Sequence, residues 1–237
     1  MTTLKNRFDC IYSVGGDGTL NEAINGIIDG KSKVGIIPIG SGDDFYKSFK
    51  ENSTDKIDVG CINNSKYFIN IASVGLDANI ADNANYLKEN NYPNNSVYIL
   101  SLIKNYFRFK PVETKINGKD NTITLLAVCN GMYYDNGFKM APNANLSDGK
   151  FDIYKASDMN KIKLLNVLIK LLKGTHSTDN TIDYSLSDKI KIESEIPLMY
   201  NVDGEIIKEK STEIKLVPKS ITLDIDANKE IIKKLRF

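Results

Sequence analysis

The chain has 237 residues, enough for one large domain or two small ones with a substantial core. Hydrophobic residues make up 41% and charged residues 26%, which excludes an intrinsically disordered or collagen-like chain. The formal net charge of +1 provides no global field that would attract nucleic acid, so we expect no nucleic-acid partner.

Cysteine and histidine are scarce. Three cysteines, no two of them close in sequence, encode neither a disulfide framework nor a thiolate zinc site. The single histidine, His176, excludes mechanisms that need two imidazoles, and a structural role is the better interpretation of it. The N-terminus lacks a signal-peptide pattern, and no apolar run reaches the roughly 18 to 20 residues of a membrane span. We therefore expect a cytoplasmic protein that reaches the inner membrane surface, if at all, as a peripheral protein.

About the first sixty residues alternate between the strand period and the helix period. Residues 8–14 are predicted to form a short buried strand, and the turn Gly15-Gly16-Asp17-Gly18-Thr19 follows it. The apolar face of the next helix consists of Leu20, Ala23, Ile24, Ile27 and Ile28. Residues 34–39 then form a second strand, and a second small-residue turn, residues 40–44, opens a short helix. This order predicts an α/β unit.

From about residue 55 onward, strands of period two dominate, and this part is predicted to be mainly β. Residues 57–61 are expected to pair with residues 67–74 across Asn63-Asn64, and an Asn-Gly turn joins residues 114–116 to residues 123–129. Further strands are predicted at residues 151–155, 189–193, 198–202, 205–207 and 221–225. One clear helix interrupts them, with an apolar face of Ile162, Leu165, Leu168, Ile169 and Leu172. A short terminal helix is predicted over residues 228–237.

The turn from Gly15 to Thr19 is the most informative feature. A strand that ends in glycines before a helix aims backbone N–H groups and the helix dipole at one spot, where a phosphate fits. Asp17 would repel that phosphate unless a divalent cation bridges the two, which indicates a metal nucleotide. On the residues alone, an equal alternative is that Asp17 and Thr19 only cap the helix. Neither standard nucleotide signature is present: Asn21 replaces the third glycine of the dinucleotide fingerprint, and Gly30-Lys31-Ser32 follows a helix instead of opening one.

Two glycine-rich blocks begin a series of short motifs that extends along nearly the whole chain. The blocks are Gly15–Glu22, Gly35–Phe45, Asp58–Gly60, Phe68–Asn70, Phe138–Pro142, Asn145–Gly149, Gly174–His176 and Asn201–Glu205. In this order they closely resemble the catalytic core of the diacylglycerol kinase family, and within it the soluble bacterial lipid kinases. A single glycine motif would be weak evidence, whereas this many motifs in register are specific.

The resemblance implies an α/β plus β fold, with a truncated α/β nucleotide-binding domain of the NAD kinase and diacylglycerol kinase type packed on a β-sandwich domain. Residues 1–56 would form the partial nucleotide-binding domain, residues 57–225 the β-rich domain, and residues 226–237 a segment that returns to the nucleotide-binding domain. The family begins with an earlier strand and glycine loop, so we expect that part of the ATP site is missing and that kinase activity is weak or absent. Asp43-Asp44, where the family has Asn-Asp, adds a negative charge beside the same site.

The resemblance also implies which residues hold the nucleotide and its cation. The residues that would bind the phosphates of ATP are Gly15, Gly16, Asp17, Gly18, Thr19, Leu20 and Asn21. Asp17 would in addition serve the bridging Mg²⁺, and Ser41 would touch ATP where the family usually has Thr. A second, structural Mg²⁺ or Ca²⁺ would bind the Asp148 carboxylate and the main-chain carbonyls of Asn145 and Lys150. An ordinary polar turn is the alternative there.

The segment Asp203-Gly204-Glu205 corresponds to the family's Asp-Gly-Glu element, where a carboxylate is proposed to take the proton from the attacking hydroxyl. Glu205 is the first choice and Asp203 the second, and a plain hairpin turn is the alternative for both. The implied reaction is ATP-dependent transfer of the γ-phosphoryl group to a hydroxyl of diacylglycerol or a similar lipid. The alternatives are a non-catalytic regulatory protein that binds nucleotide or lipid, and an NAD kinase-like enzyme.

The expected partners are ATP, a lipid with a free hydroxyl, and a membrane surface that is contacted transiently. A second copy, in a homodimer, is a further candidate. Residues 104–110 interleave basic and aromatic side chains, a pattern that would seat the protein on an anionic membrane. The favoured alternative is a buried aromatic stripe whose lysines extend to solvent.

Overall fold

The computed structural model describes residues 8–28, 30–92, 94–134, 137–157, 159–172, 174–176 and 179–224. Its helices are α1 (Asp17–Ile27), α2 (Asp44–Asn52), α3 (Leu76–Glu89), α4 (Asn94–Arg108) and α5 (Lys161–Leu172). Its strands are β1 (Cys10–Gly15), β2 (Lys33–Pro38), β3 (Lys56–Ile62), β4 (Lys66–Phe68), β5 (Ile71–Gly75), β6 (Val112–Ile116), β7 (Lys119–Cys129), β8 (Tyr133–Tyr134), β9 (Phe138–Lys139), β10 (Phe151–Ser157), β11 (Ile182–Ser187), β12 (Lys189–Val202) and β13 (Glu205–Thr222). The predicted terminal helix and the predicted return of residues 226–237 lie outside the described residues.

The α/β unit predicted at the start of the chain is confirmed. Strands β1 and β2 pair in parallel, and α1 forms the crossover between them. Helices α1 and α2 bury apolar side chains against this small sheet because those side chains recur at helical spacing. Just beyond β13, Leu223 forms a parallel bridge with Val34 of β2. The carboxyl ends of β1 and β2 lie side by side, and each leads into a glycine turn.

The β-rich part is a nine-stranded sheet in the order β11-β10-β7-β5-β12-β13-β3-β4, with β6 paired to both β7 and β12. Strands β5 and β6 each bridge β7 to β12, at opposite halves of those two long strands, so the four strands close into a ring. Phe68, Phe151 and Tyr200 are fully buried in the core beside it. The hairpin predicted across the Asn-Gly turn is confirmed as β6 and β7.

The predicted pairing of residues 67–74 with residues 57–61 is wrong beyond Phe68. Strand β4 pairs with β3 as expected, but β5 pairs with β7 and β12. The strand breaks at residues 69–70, because the backbone N–H groups of residues 69–71 donate to the carboxylate of Asp203. A distant side chain therefore ends one strand and directs the next one to a different neighbour.

The expectation that one clear helix interrupts the β-rich part is also wrong, because α3 and α4 lie between β5 and β6. They pack with α5 around a shared apolar cluster. The pattern of α3 is weak because polar residues dominate it and its buried apolar positions are sparse.

Helix α5 forms where predicted, but the face that it buries is adjacent to the predicted one and, among the side chains described, overlaps it only at Leu168. Leu168 is buried as expected, together with Leu164 and Val167. The side chains of its predicted core face that are exposed instead are Ile162, Leu165 and Ile169. No helix among the described residues is both long enough and apolar enough to cross a bilayer.

Candidate functional site

A cleft lies where the β1–α1 and β2–α2 turns face the β12–β13 turn. Its walls are formed by Gly16, Asp17, Gly18, Gly40, Ser41, Gly42, Asp44, Asn70, Ala81, Ala84, Asn85, Lys88, Tyr134, Asp203 and Gly204. Both glycine turns enter it because the carboxyl ends of parallel strands meet at the same edge of a sheet. Helix α3 supplies a further wall. Two turns that the sequence singled out thus come together with a carboxylate from more than 150 residues away, Asp203.

The two glycine turns touch each other backbone to backbone. A Cβ atom on Gly40 would lie 2.4 Å from the Cα of Gly16, closer than two carbon atoms tolerate. Asp43 shapes the second turn: its φ is 50°, and its Oδ1 accepts a hydrogen bond from the N–H of Gly40 at 3.0 Å. At Gly18, by contrast, nothing lies within 4 Å of the position that a Cβ would take. The turns thus leave open space at the amino end of α1, where backbone N–H groups converge.

Asp17 fixes the second turn relative to the first. Its carboxylate accepts hydrogen bonds from the backbone N–H groups of Asp44 (2.9 Å) and Phe45 (2.8 Å), and from the side-chain amide of Asn70 (3.4 Å). Asp17 therefore caps α2, the helix after the other turn, and not its own helix. Burial raises the pKa of Asp43, and the negative charge of the neighbouring Asp17 carboxylate raises it further.

Asp203 joins the β-rich part to the first glycine turn and its helix. Its carboxylate accepts hydrogen bonds from the backbone N–H groups of Ile69 (2.6 Å), Asn70 (3.0 Å) and Ile71 (2.8 Å), and from the side-chain amide of Asn21 (2.8 Å). Burial of the carboxyl group raises its pKa to about 6, and the four donors oppose that rise because they favour the charged form. The residue as a whole is half-buried, which leaves it part of the cleft wall.

The residues predicted to bind nucleotide fall into two groups. Those that line the cleft are Gly16, Asp17, Gly18 and Ser41. Leu20 is instead buried in the core between α1 and β2, and Asn21 is buried in contact with Asp203. Thr19 folds back over Gly15, where a Cβ would lie 2.5 Å from the Thr19 Oγ1. The residues of this second group pack beside or beneath the turn and do not line the cleft.

Glu205 lies beside the cleft and is not among the residues that line it. Its side chain is 67% exposed and forms an ion pair with Lys66. It directly follows Gly204, which does line the cleft. The two carboxylates of this short segment therefore have different surroundings, since that of Asp203 is enclosed by N–H donors and that of Glu205 is solvated.

The three residues predicted to hold a second cation lie on an exposed turn between β9 and β10. The Asn145 side chain accepts a hydrogen bond from the N–H of Ser147 (3.0 Å), and the Asp148 carboxylate accepts one from the N–H of Lys150 (3.0 Å). These are the bonds of a polar turn. Within the described ranges, no group of three or more His, Cys, Asp or Glu side chains is arranged to hold a metal ion.

The surroundings of His176 fit the structural role expected for it. Its Nε2 lies 2.7 Å from the carbonyl oxygen of Met140, and its ring packs edge-on against Tyr154. Burial lowers the pKa of the imidazole, which favours the neutral form.

Sequence reasoning missed a polar cluster behind the cleft, formed by Ser73, Asp77, Tyr134 and Asn201. The Ser73 hydroxyl and the Asn201 amide both donate to the Asp77 carboxylate, and the Asn201 amide also contacts the Tyr134 hydroxyl. Burial raises the pKa of Asp77. The side-chain Oδ1 of Asn201 accepts a hydrogen bond from the N–H of Gly204 at 2.9 Å, so the cluster supports the β12–β13 turn. Asp77 is the second residue of α3, and no pattern in the sequence distinguishes it.

Comparison with known proteins agrees with this arrangement. The family described as "Diacylglycerol kinase catalytic domain" matches residues 1–67, and the family described as "YegS C-terminal NAD kinase beta sandwich-like domain" matches residues 70–225. A curated diacylglycerol kinase of Staphylococcus epidermidis is 30% identical over 225 residues, which cover 85% of this chain and 69% of the relative. The chain belongs to the diacylglycerol kinase family. A diacylglycerol kinase of Bacillus subtilis is likewise 30% identical over 222 residues, 84% of this chain and 71% of the relative.

Two solved structures share the fold. A candidate diacylglycerol kinase from Bacillus anthracis has a TM-score of 0.71 at 23% identity, over 91% of this chain and 77% of that one. A diacylglycerol kinase from the same organism has a TM-score of 0.64 at 20% identity, over 91% of this chain and 75% of that one. The predicted family and fold are thus confirmed, and membership of a kinase family indicates a phosphotransferase that uses a nucleotide and a divalent metal. The predicted domain limits and the expected loss of part of the ATP site stay predictions.

Proposed function

We propose that this chain is an ATP-dependent lipid kinase, which transfers the γ-phosphoryl group to a hydroxyl of diacylglycerol or a similar lipid. The observation that carries the proposal is the convergence of two glycine turns, Asp17 and Asp203 on one cleft. Phosphoryl transfer requires chiefly that donor and acceptor are positioned and that their charge is neutralised. Relatives named diacylglycerol kinase support the choice of acceptor.

The phosphates of ATP would lie at the amino end of α1. The first N–H groups of a helix have no partner within it, and the helix dipole adds partial positive charge there. Gly18 leaves the open space that a phosphate needs, and Ser41 offers a hydroxyl from the second turn. Because Gly16 and Gly40 touch, the two turns act as one cradle.

A divalent cation fits beside Asp17. The carboxylate already accepts two backbone N–H groups, but each of its oxygens has two lone pairs, so acceptor capacity remains. Burial and repulsion from Asp17 raise the pKa of Asp43, and a cation between the two would relieve the repulsion. Mg²⁺ held there would neutralise phosphate charge, while Asp17 keeps the two turns together.

Asp203 is our candidate for the group that takes the proton from the acceptor hydroxyl. Its carboxylate belongs to the cleft wall, whereas Glu205 is solvated and paired with Lys66. A pKa of about 6 suits a base that works near neutral pH, because the group is ionised there and still basic. Of its four donors only the Asn21 amide belongs to a side chain. This amide can therefore rotate away when the Asp203 carboxylate takes up the proton.

The test is phosphorylation of diacylglycerol in mixed micelles with labelled ATP and Mg²⁺. We expect Asp203→Asn to lower kcat about a thousandfold, within the usual range for a general base. Glu205→Gln serves as the matched control, and it should keep most of the activity and the acid limb of the pH–rate profile near pH 6. Activity lost in Glu205→Gln but kept in Asp203→Asn would assign the proton transfer to Glu205.

The same assay separates the alternatives. The kinase proposal would be refuted if the wild-type chain formed no phospholipid product, even when the strand and glycine loop with which the family begins are fused to it. If ATP then raised its unfolding temperature without turnover, the chain would be a nucleotide-binding regulatory protein. A phosphorylated product formed with NAD as acceptor, and with no lipid, would identify an NAD kinase-like enzyme.

A second, structural Mg²⁺ or Ca²⁺ on the turn of residues 145–150 is a separate proposal. The Asp148 carboxylate and the carbonyls of Asn145 and Lys150 are oxygen ligands, which suit a hard cation. We expect Ca²⁺ or Mg²⁺ to raise the unfolding temperature of the wild type and not that of Asp148→Asn. An equal rise in both proteins would show that the cation binds elsewhere.

The proposed reaction also locates the protein. Its acceptor is a lipid, so we place the chain transiently at the cytoplasmic face of a membrane. A homodimer remains a proposal, which sedimentation velocity of the purified chain tests.

A further inference from the structure

Two helices of the β-rich part expose rows of apolar side chains. The row on α4 consists of Leu100, Ile103 and Phe107, and the row on α5 consists of Ile162, Leu165 and Ile169. Both rows have the spacing of one helix face. Phe107 is 73% exposed and Ile162 is 82% exposed, although a helix normally buries such a row. Apolar patches of this kind mark interaction surfaces.

The two rows meet where α4 ends and α5 begins. The Tyr106 hydroxyl donates a hydrogen bond to the carbonyl of Lys161 at 3.0 Å, and the Lys161 ammonium donates to the carbonyls of Tyr106 and Phe109. Phe107 and Ile162 directly follow these joined residues in sequence. The rows therefore form one surface, which we call the α4–α5 face.

The charged residues within α4 and α5 all have one sign. Neither helix contains Asp or Glu. The exposed cationic residues on or next to the two helices are Lys104, Arg108, Lys110, Lys161 and Lys163. Lys104 shares a surface groove with Asp82 and Glu89 of α3, so its charge is partly offset. Protein–protein interfaces are depleted of lysine, whereas exposed apolar side chains among cations are typical of a surface that binds anionic lipid.

A narrow apolar cavity links this layer to the cleft. Its lining includes Leu102 of α4, Leu168 and Leu171 of α5, Leu76 of α3, and Tyr134. Tyr134 also lines the cleft, so it stands between the two spaces. The cavity is about 30 Å³, and an acyl chain would enter only if the helices moved apart. Its position nevertheless ties the α4–α5 face to the place where a lipid hydroxyl would react.

We propose that the α4–α5 face docks on an anionic lipid bilayer. The apolar rows would enter the interfacial region, and the cations beside them would contact anionic head groups. The use of a bilayer lipid as acceptor rests on the proposed function, but the docking itself does not.

The experiment is co-sedimentation of the purified chain with vesicles of phosphatidylcholine and phosphatidylglycerol, in the absence of ATP. We expect the wild type to bind these vesicles, and to bind more weakly to phosphatidylcholine alone and at high salt. The double variant Phe107→Ser with Ile162→Ser should bind about tenfold more weakly because it loses two anchoring side chains. Ile196→Ser is the matched control, since Ile196 is 64% exposed on β12 and belongs to neither helix, so this variant should bind like the wild type.

A second pair of substitutions keeps the test independent of the apolar rows. Arg108→Ala with Lys163→Ala should weaken binding to the anionic vesicles, reduce its salt dependence, and leave binding to phosphatidylcholine unchanged.

The proposal is overturned if the wild type does not bind anionic vesicles, or if Ile196→Ser weakens binding as much as the double serine variant. It is also overturned if the wild type forms dimers that the serine variant abolishes, because the face would then join two copies. A chain that binds vesicles but phosphorylates no lipid would refute only the proposed function, and one that phosphorylates micellar lipid but ignores vesicles would refute only the docking.

Discussion

The cleft and the layer formed by α3, α4 and α5 differ in how their side chains find partners. In the cleft, the carboxylates of Asp17 and Asp203 accept hydrogen bonds from five backbone N–H groups and two side-chain amides. In the helical layer, contacts are mainly apolar, two apolar rows stay exposed, and the buried hydroxyl of Ser101 has no hydrogen-bond partner among the described residues. The difference indicates that the cleft is built to hold one geometry, whereas the layer is built to present a surface.

Among the variants that leave both cleft carboxylates in place, separating the two glycine turns should have the largest effect on activity. In Gly40→Ala the new Cβ would lie 2.4 Å from the Cα of Gly16, so the turns must move apart. We expect kcat/KM in the lipid kinase assay to fall about a hundredfold, the usual result of displacing reacting groups by about 1 Å. Gly26→Ala on α1 is the control: its Cβ meets nothing within 4 Å, and it should raise the free energy of unfolding by about 0.5–1 kcal/mol. Wild-type activity in Gly40→Ala would show that the turns are not one cradle.

The same contrast explains what the sequence could and could not predict. The glycine turns are local signals, since a few adjacent residues specify strand, turn and helix. The capping of α2 by Asp17 and the anchoring of residues 69–71 by Asp203 were missed because both join segments far apart in sequence. The resemblance to the kinase family therefore assigned these carboxylates candidate roles, and the sequence did not show what holds them.

The helical layer was predicted less well, for a different reason. Helix α3 has few apolar residues, so its period is hard to recognise. Helix α5 is apolar on more than one side, and periodicity cannot tell which side is buried. The side with Ile162 and Leu165 was expected in the core, whereas the structure buries Leu164 and Val167. The face of α5 that was expected in the core is therefore exposed, and it is part of the proposed docking surface.

Asp203 should make the folded protein less stable as the pH rises. Its pKa is about 6 in the folded state against an ordinary value of 3.8, so the folded state binds the proton more tightly. The resulting stabilisation is complete below about pH 4 and is lost as the pH rises through about 6, with a size of up to about 3 kcal/mol. Urea unfolding across this pH range measures it, and Asp203→Asn should flatten the dependence. Asp148→Asn, on the exposed turn, is the control, and equal slopes in wild type and Asp203→Asn would contradict the expectation.

The same substitution, serine to alanine, can be made at two fully buried positions, Ser48 on α2 and Ser101 on α4. The Ser48 hydroxyl donates to the carbonyl of Asp44 (3.1 Å) and accepts from the N–H of Met132 (2.9 Å), so Ser48→Ala leaves a buried N–H unpaired. We expect a loss of about 1–2 kcal/mol in the free energy of unfolding. Ser101→Ala removes a hydroxyl without a hydrogen-bond partner among the described residues, and it should be neutral or slightly stabilising. Equal losses in urea unfolding would remove the distinction between the two regions.

The smallest effect should come from breaking the ion pair of Lys66 and Glu205. This pair is solvated, whereas the polar contacts of Asp203 nearby are enclosed. Because the Glu205 side chain is 67% exposed, Lys66→Ala should lower the free energy of unfolding by less than about 1 kcal/mol, and high salt should reduce the difference further. Activity gives the sharper result. If Glu205 only pairs with Lys66, then Lys66→Ala and Glu205→Gln should have the same small effect on kcat, and the double variant should add nothing. If Glu205 takes the proton, Glu205→Gln alone would abolish turnover, and the enclosure of Asp203 by N–H donors would be purely structural.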